Sequence, residues 1–239
     1  MHGTGPVGLD LFCFPHAGAS ATVYARWRRR LPEWLQVRPV ELPGRGARIQ
    51  ELPYTDLDAL ADLLAGELIP QIGRPYALFG HSLGALLAFE VAHRLTSCRA
   101  AGPQALFVSG THAPTRRNAG RYASWQSDDA LVAEMRKLQG TSPEVLASTE
   151  LMALTLPVLR ADFQVCGGYR PKARPPLQCP LHVFGGDADE TTWDTLMAWQ
   201  YESAGTFSLD VLQGGHFFIR SCEARVLELI CGYLESGLS

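Results

Sequence analysis

The stretch from Tyr76 to Ala92 constrains the fold more than any other. An apolar run, Tyr76-Ala77-Leu78-Phe79, ends in Gly80-His81-Ser82-Leu83-Gly84, and a helical run rich in small residues, Ala85-Leu86-Leu87-Ala88-Phe89-Glu90-Val91-Ala92, begins at once. A buried strand that passes into a helix without a loop needs a sharp bend with an empty crook, and glycines on either side of the bend leave that room. Apolar runs bounded by turn residues predict further strands: 8–14, 35–42, 76–80, 104–109, 180–185 and 207–212. Between them Leu57, Leu60, Ala61, Leu64 and Leu68 recur at helical spacing, as do Val226, Leu227, Ile230 and Leu234 near the C-terminus. Strands alternating with helices predict an α/β fold, with a mostly parallel central sheet flanked by helices. With 239 residues, 46% of them hydrophobic, the chain is read as a single domain, 1–239.

One segment interrupts the alternation. Residues 112–170 hold no strand pattern, yet carry helical apolar patterns at Leu131, Val132, Met135 and Leu138, then at Leu151, Leu154, Leu156, Leu159 and Phe163. Inserted between two strands of the sheet, this segment is expected to be a helical lid over the C-terminal sheet edge, where open α/β folds bind their ligands.

A net charge of −3 gives no broad attraction to nucleic acid or to an anionic membrane. Two arginine clusters (Arg26, Arg28, Arg29, Arg30; and Arg116, Arg117, Arg121) are expected to be solvated faces. The six cysteines, Cys13, Cys98, Cys166, Cys179, Cys222 and Cys231, form no Cys-x-x-Cys pair and no metal-like spacing with histidine. Cys222 and Cys231, placed on one terminal helix, would point to opposite sides of it. Free thiols, no basic-then-apolar leader and no membrane-length apolar run predict a cytoplasmic protein, read as a monomer.

The bend at Ser82 suits a nucleophile, because a strained strand-to-helix turn lifts a hydroxyl clear of the packed surface. A serine nucleophile needs a base and an acidic group to orient that base, and both follow in the order acid, then histidine. Strand 180–185 exits into Gly185-Gly186-Asp187-Ala188-Asp189-Glu190, and strand 207–212 exits into Gln213-Gly214-Gly215-His216. His216 is the expected base. Asp189, three residues past Gly186, has space to swing toward the imidazole, whereas Asp187 at the strand exit is the alternative or stabilises the turn. Thr191 with Asp194 reads as a capping pair opening the next helix, and Glu190 as first-turn charge. An oxyanion would be met by the Leu83 N–H and by one amide of the loop Phe14-Pro15-His16-Ala17-Gly18-Ala19-Ser20, Ala17 first and Gly18 next. His16 and His81 are expected to shape or pack the site. No metal and no cofactor is called for.

With these residues in hand, the chain resembles a type II thioesterase, the free-standing editing enzyme of polyketide and nonribosomal peptide assembly lines, a branch of the α/β-hydrolase superfamily. The resemblance runs almost end to end, through Leu11–Gly18, Glu41-Leu42-Pro43-Gly44-Arg45-Gly46-Ala47-Arg48, Gly80–Ala85, Leu159-Arg160-Ala161-Asp162, Gly185–Asp189 and Gly214–Phe218. It implies Ser82 as nucleophile, His216 as base, Asp189 as orienting acid, and main-chain Ala17 and Leu83 as oxyanion donors. It also implies acyl groups on the phosphopantetheine arm of acyl or peptidyl carrier proteins as substrate. Two positions depart from the pattern: Ala19 stands for a second glycine, and Glu190 for a proline after the acid. The rival readings are a general carboxylesterase or lipase-type hydrolase, an acyltransferase or cyclase, and a catalytically inactive carrier-binding module.

Overall fold

The computed structural model describes residues 8–98, 102–118, 120, 127–138, 140–141 and 143–238. Arg121, named above with the second arginine cluster, lies outside them. Six strands form one sheet: β1 (Leu9–Phe14), β2 (Leu35–Pro39), β3 (Tyr76–His81), β4 (Leu106–Ser109), β5 (Leu181–Gly186) and β6 (Phe207–Leu212). Every neighbouring pair is parallel, in the order β2-β1-β3-β4-β5-β6. All six apolar runs are therefore strands, and β2 and β4 are shorter than the runs that predicted them.

Burial follows from position. The inner strands β1, β3, β4 and β5 are covered on both faces and buried at every residue, which is why they read as continuous apolar runs. The edge strand β2 alternates, with Leu35 and Val37 inward and Gln36 and Arg38 outward. Side chains alternate across the sheet, so Phe12, Leu78, Val108 and Val183 feed one core, and Leu11, Phe79, Phe107 and Phe184 feed the other. Helices α1 (Leu57–Leu68) and α2 (Leu83–Cys98) close the first face. On the second lies the C-terminal helix Glu223–Leu238, through Val226, Leu227, Ile230 and Leu234. That helix begins one residue after Cys222, so the two cysteines expected on one helix do not share it; all six thiols are free.

Among the described residues between β4 and β5 lie the helices α3 (Asp128–Leu138), α4 (Pro143–Ala147) and α5 (Thr149–Gly168). Their inward residues Leu131, Met135, Met152, Leu159 and Phe163 form a third apolar cluster, against which Ala17 packs. The apolar pattern predicted for α5 is only half buried. Leu151 and Leu154 are exposed on either side of the buried Met152, and most of the helix's buried residues follow Pro157. Two shorter helices, α6 (Trp193–Met197) and α7 (Phe218–Ser221), precede the terminal helix, α8 (Glu223–Leu238). Among the described residues no helix is long and apolar enough to cross a membrane.

The winding direction sets the site. From β1 the chain steps outward to β2, then returns to place β3 on the other side of β1, so the loops leaving β1 and β3 run apart. A crevice opens at such a reversal, outside the carboxyl ends of the strands. The loop Pro15–Ser20 and the bend at Ser82 lie on either side of it.

Candidate active site

Ser82 has φ 56° and is the non-glycine residue with positive φ among the described residues. A backbone held in this region costs about 1–3 kcal/mol and persists where surrounding contacts enforce it. Here the Ser82 N–H donates to the Ser109 carbonyl at 2.8 Å. The crook is as tight as expected: a Cβ on Gly80 would fall 2.0 Å from the Gly84 carbonyl oxygen, and one on Gly84 2.1 Å from that of Phe14. Leu83 opens α2, so its N–H has no acceptor within the helix.

His216 and Asp189 meet. The imidazole Nδ1 lies 3.2 Å from each Asp189 carboxylate oxygen, and both side chains are largely buried. Burial pushes the Asp189 carboxyl upward, but hydrogen bonds from His216, the Thr191 hydroxyl at 3.0 Å and the Glu190 N–H at 2.7 Å outweigh it and leave the group below its ordinary value. Nδ1–H as donor to Asp189 leaves Nε2 with its lone pair. Asp187 does different work. Its Oδ1 accepts from the Gly214 N–H at 2.8 Å, binding the two strand-exit loops together.

The capping pair expected at Thr191 and Asp194 does not form. Thr192 is the N-cap of α6, and the Thr191 hydroxyl is spent on Asp189. Glu190 also lies outside that helix, in an ion pair with Lys137 of α3.

In the loop after β1, the Gly18 N–H donates to Asp162 Oδ2 at 2.7 Å and is not available to an oxyanion. That contrast separates Gly18 from Ala17, the first choice of the sequence reading. His16 is buried, with Nδ1 3.0 Å from the Ala17 carbonyl and Nε2 3.3 Å from Arg220 Nη2. Burial drives the His16 pKa down to about 3, with further lowering from Arg220, so this ring stays neutral near pH 7. His81 is wholly buried beside the Ser109 hydroxyl and tilted against His216, its ring centroid 5.0 Å away; burial holds it far below the usual imidazole range.

Ser82, His216 and Ala17 line a cavity of about 370 Å³, whose far wall is apolar: Met135, Leu138, Val145, Leu159 and Phe163 from the inserted helices and Phe217 beside the histidine. Ser82, His216 and Ala17 also line a smaller cavity of about 50 Å³, with Asp189, Thr191 and Glu134 on its polar side. Among the described residues no group of three or more His, Cys, Asp or Glu side chains could hold a metal ion. The arrangement suits acyl transfer: a strained hydroxyl, a carboxylate-oriented imidazole, unpaired amides and an apolar chamber for a chain.

Sequence reasoning gave Thr191 the wrong role and gave Asp162 none, although Leu159-Arg160-Ala161-Asp162 was one of the motifs that carried the resemblance.

Comparison with known proteins agrees with this chemistry. Residues 10–235 match the family model described as a thioesterase domain. The gramicidin S biosynthesis protein GrsT of Aneurinibacillus migulanus is 38% identical over 232 residues, spanning 97% of this chain and 91% of the relative. Among solved structures, the type II thioesterase BorB from the borrelidin biosynthetic cluster superposes with TM-score 0.88 at 39% identity, covering 96% of this chain and 94% of the other. RedJ, the thioesterase of the prodiginine pathway in Streptomyces coelicolor, gives 0.87 at 38% identity, with coverage of 95% and 86%.

Proposed function

The chain belongs to the thioesterase family, and from that membership we propose that it hydrolyses acyl groups from the phosphopantetheine arm of acyl or peptidyl carrier proteins, clearing aberrant or stalled chains from polyketide or nonribosomal peptide assembly. In this reading Ser82 Oγ attacks the thioester carbon while His216 Nε2 takes its proton and Asp189 steadies the resulting imidazolium. The Ala17 and Leu83 N–H groups meet the oxyanion. Collapse breaks the C–S bond, the departing sulfur takes the proton from His216, and an acyl-Ser82 ester remains. Water, deprotonated by His216, attacks that ester and releases the free acid. The pantetheine arm arrives with the substrate, and no cofactor of the enzyme's own enters a step.

Residues 112–170 act as the lid of this reading, supplying the apolar wall of the 370 Å³ chamber. The chain is taken to work as a monomer in the cytoplasm, a setting consistent with its six free thiols.

The observation that carries the proposal is the 370 Å³ cavity shared by the strained Ser82 and a His216 already gripped by Asp189. Acylated carrier proteins and simple oxygen esters of matched chain length, offered to wild type and to Ser82→Ala, test it. The variant is expected to lose turnover by several orders of magnitude, keeping at most roughly 10³ to 10⁴ over water, and wild type is expected to favour the carrier thioester. Wild-type rates in Ser82→Ala would refute the nucleophile, and a preference for simple esters would refute the substrate class.

A further inference from the structure

Loop Pro15–Ser20 must present one amide accurately. In a trans peptide the C=O and N–H point in opposite directions. The His16 carbonyl turns into the loop to accept from the Ala19 N–H at 3.0 Å, so the Ala17 N–H, on the same peptide plane, points the other way. The next plane is held at both ends: the Ala17 carbonyl receives His16 Nδ1, and the Gly18 N–H reaches Asp162.

Asp162 comes from the buried half of α5, 144 residues from Gly18. It is fully buried, and Arg45 grips it bidentately, Nη1 to Oδ2 at 2.6 Å and Nη2 to Oδ1 at 2.8 Å. Arg45 is itself buried and also reaches the Pro43 carbonyl. A buried ion pair of this kind seldom stabilises more than apolar residues of the same volume would, so stability is a poor reason for it. Directionality is a better one, since a carboxylate locked by a guanidinium fork aims its second lone pair in one direction. That lone pair meets Gly18, at φ 75° and so close to α5 that an added Cβ would lie 3.3 Å from Leu159 Cδ1.

We infer that Asp162, clamped by Arg45, is a positioning residue for thioester hydrolysis: by holding the Gly18 amide it keeps the Ala17 N–H turned toward the developing oxyanion. The oxyanion site is thereby completed only when α5 is seated, which couples the inserted helices to catalysis. This inference rests on the reading of Ala17 as an oxyanion donor.

The test compares Asp162→Leu with Asp162→Asn, whose side-chain oxygen still accepts from Gly18. Hydrolysis of an acylated carrier protein gives kcat and KM, and an acyl trifluoromethyl ketone, which adds to the serine as an alkoxide, reads the oxyanion site directly. Asp162→Leu is expected to lower kcat by roughly 30- to 100-fold, below the ~10²–10³ for outright loss of a donor, and to weaken the ketone by a similar factor with KM nearly unchanged. Asp162→Asn is expected to recover most of both. Should Asp162→Leu fail to fold, Arg45→Met with Asp162→Leu is set against Arg45→Met with Asp162→Asn, both free of buried charge, and the same gap in kcat and ketone affinity is read. Equal values in the Leu and Asn backgrounds, or a fall in kcat without loss of ketone affinity, overturn the inference. A Ser82→Ala protein that still turns over at the wild-type rate would instead refute the underlying reading of the site.

Discussion

Leu83 and Ala17, the two proposed oxyanion donors, sit on opposite sides of one crevice and are held in place by opposite means. The Leu83 amide is set by its immediate neighbours: a strand, two glycines that permit the crossing, and the start of a helix that leaves its N–H unpaired. The Ala17 amide depends on residues far along the chain, Asp162 on α5 through Gly18, and Glu41 through Ser20 and Ala21. Local construction is rigid and cannot be tuned. Remote construction lets another part of the molecule decide whether the amide is in place.

The sharpest way to break this comparison is to strike the local side. Gly84→Ala puts a methyl 2.1 Å from the Phe14 carbonyl oxygen and 2.7 Å from that of Pro15, both main-chain atoms at the root of the other loop. Neither side can give way without parting β1 from α2. The expected cost is about 3 kcal/mol or more in urea unfolding, with kcat lowered by at least ~10²-fold. A variant with native stability and kcat within tenfold of wild type would show that the elbow is not the rigid partner described here.

On the remote side a graded loss is expected. Glu41 accepts from the Ser20 hydroxyl at 2.9 Å and the Ala21 N–H at 3.0 Å, steadying the far end of the loop but not the Ala17–Gly18 peptide itself. Glu41→Ala should cost about 1–3 kcal/mol of stability and lower kcat by less than tenfold, less than Asp162→Leu. Chemical denaturation and steady-state kinetics check both. A larger kcat loss in Glu41→Ala than in Asp162→Leu would move control of the amide from α5 to the β2 exit.

The same division explains what could be read from the chain beforehand. Inner strands buried on both faces announce themselves as unbroken apolar runs, and the elbow is written in five consecutive residues, so both were legible. Asp187 and Asp189 were distinguishable only in part, because the choice depends on where Gly214 and His216 arrive from another strand. Thr191 looked like a helix cap by local pattern, and a tertiary partner, Asp189, claimed its hydroxyl instead. Asp162 stood out only as part of the motif Leu159-Arg160-Ala161-Asp162, with nothing to say what it holds. Its partners Gly18 and Arg45 lie 144 and 117 residues away, and no periodicity records contacts at that range. Leu151 and Leu154 misled in the other direction, since helical spacing cannot say that before Pro157 α5 buries Met152 and turns those two leucines outward.

The smallest expected effect is a pH dependence carried by the remote loop. His16 belongs to the remote loop, and burial, reinforced by Arg220 and His216, pushes its pKa to about 3, while in the unfolded chain the imidazole titrates near 6.5. Between those values the unfolded state binds a proton that the folded state refuses, so His16 makes stability fall as pH falls. One such group contributes a slope of up to ~1.4 kcal/mol per pH unit. His16→Asn removes that contribution, and urea unfolding between pH 6.5 and 5 should become shallower in its pH dependence, though not flat, because burial also lowers the buried His81 and His182 and the half-buried His93. The elbow carries a dependence of the same sign through His81, so His16→Asn removes only the share that belongs to the loop. An unchanged slope in His16→Asn would mean that the ring accepts a proton in the folded loop. The Ala17 carbonyl and Arg220 would then no longer hold a neutral imidazole between them.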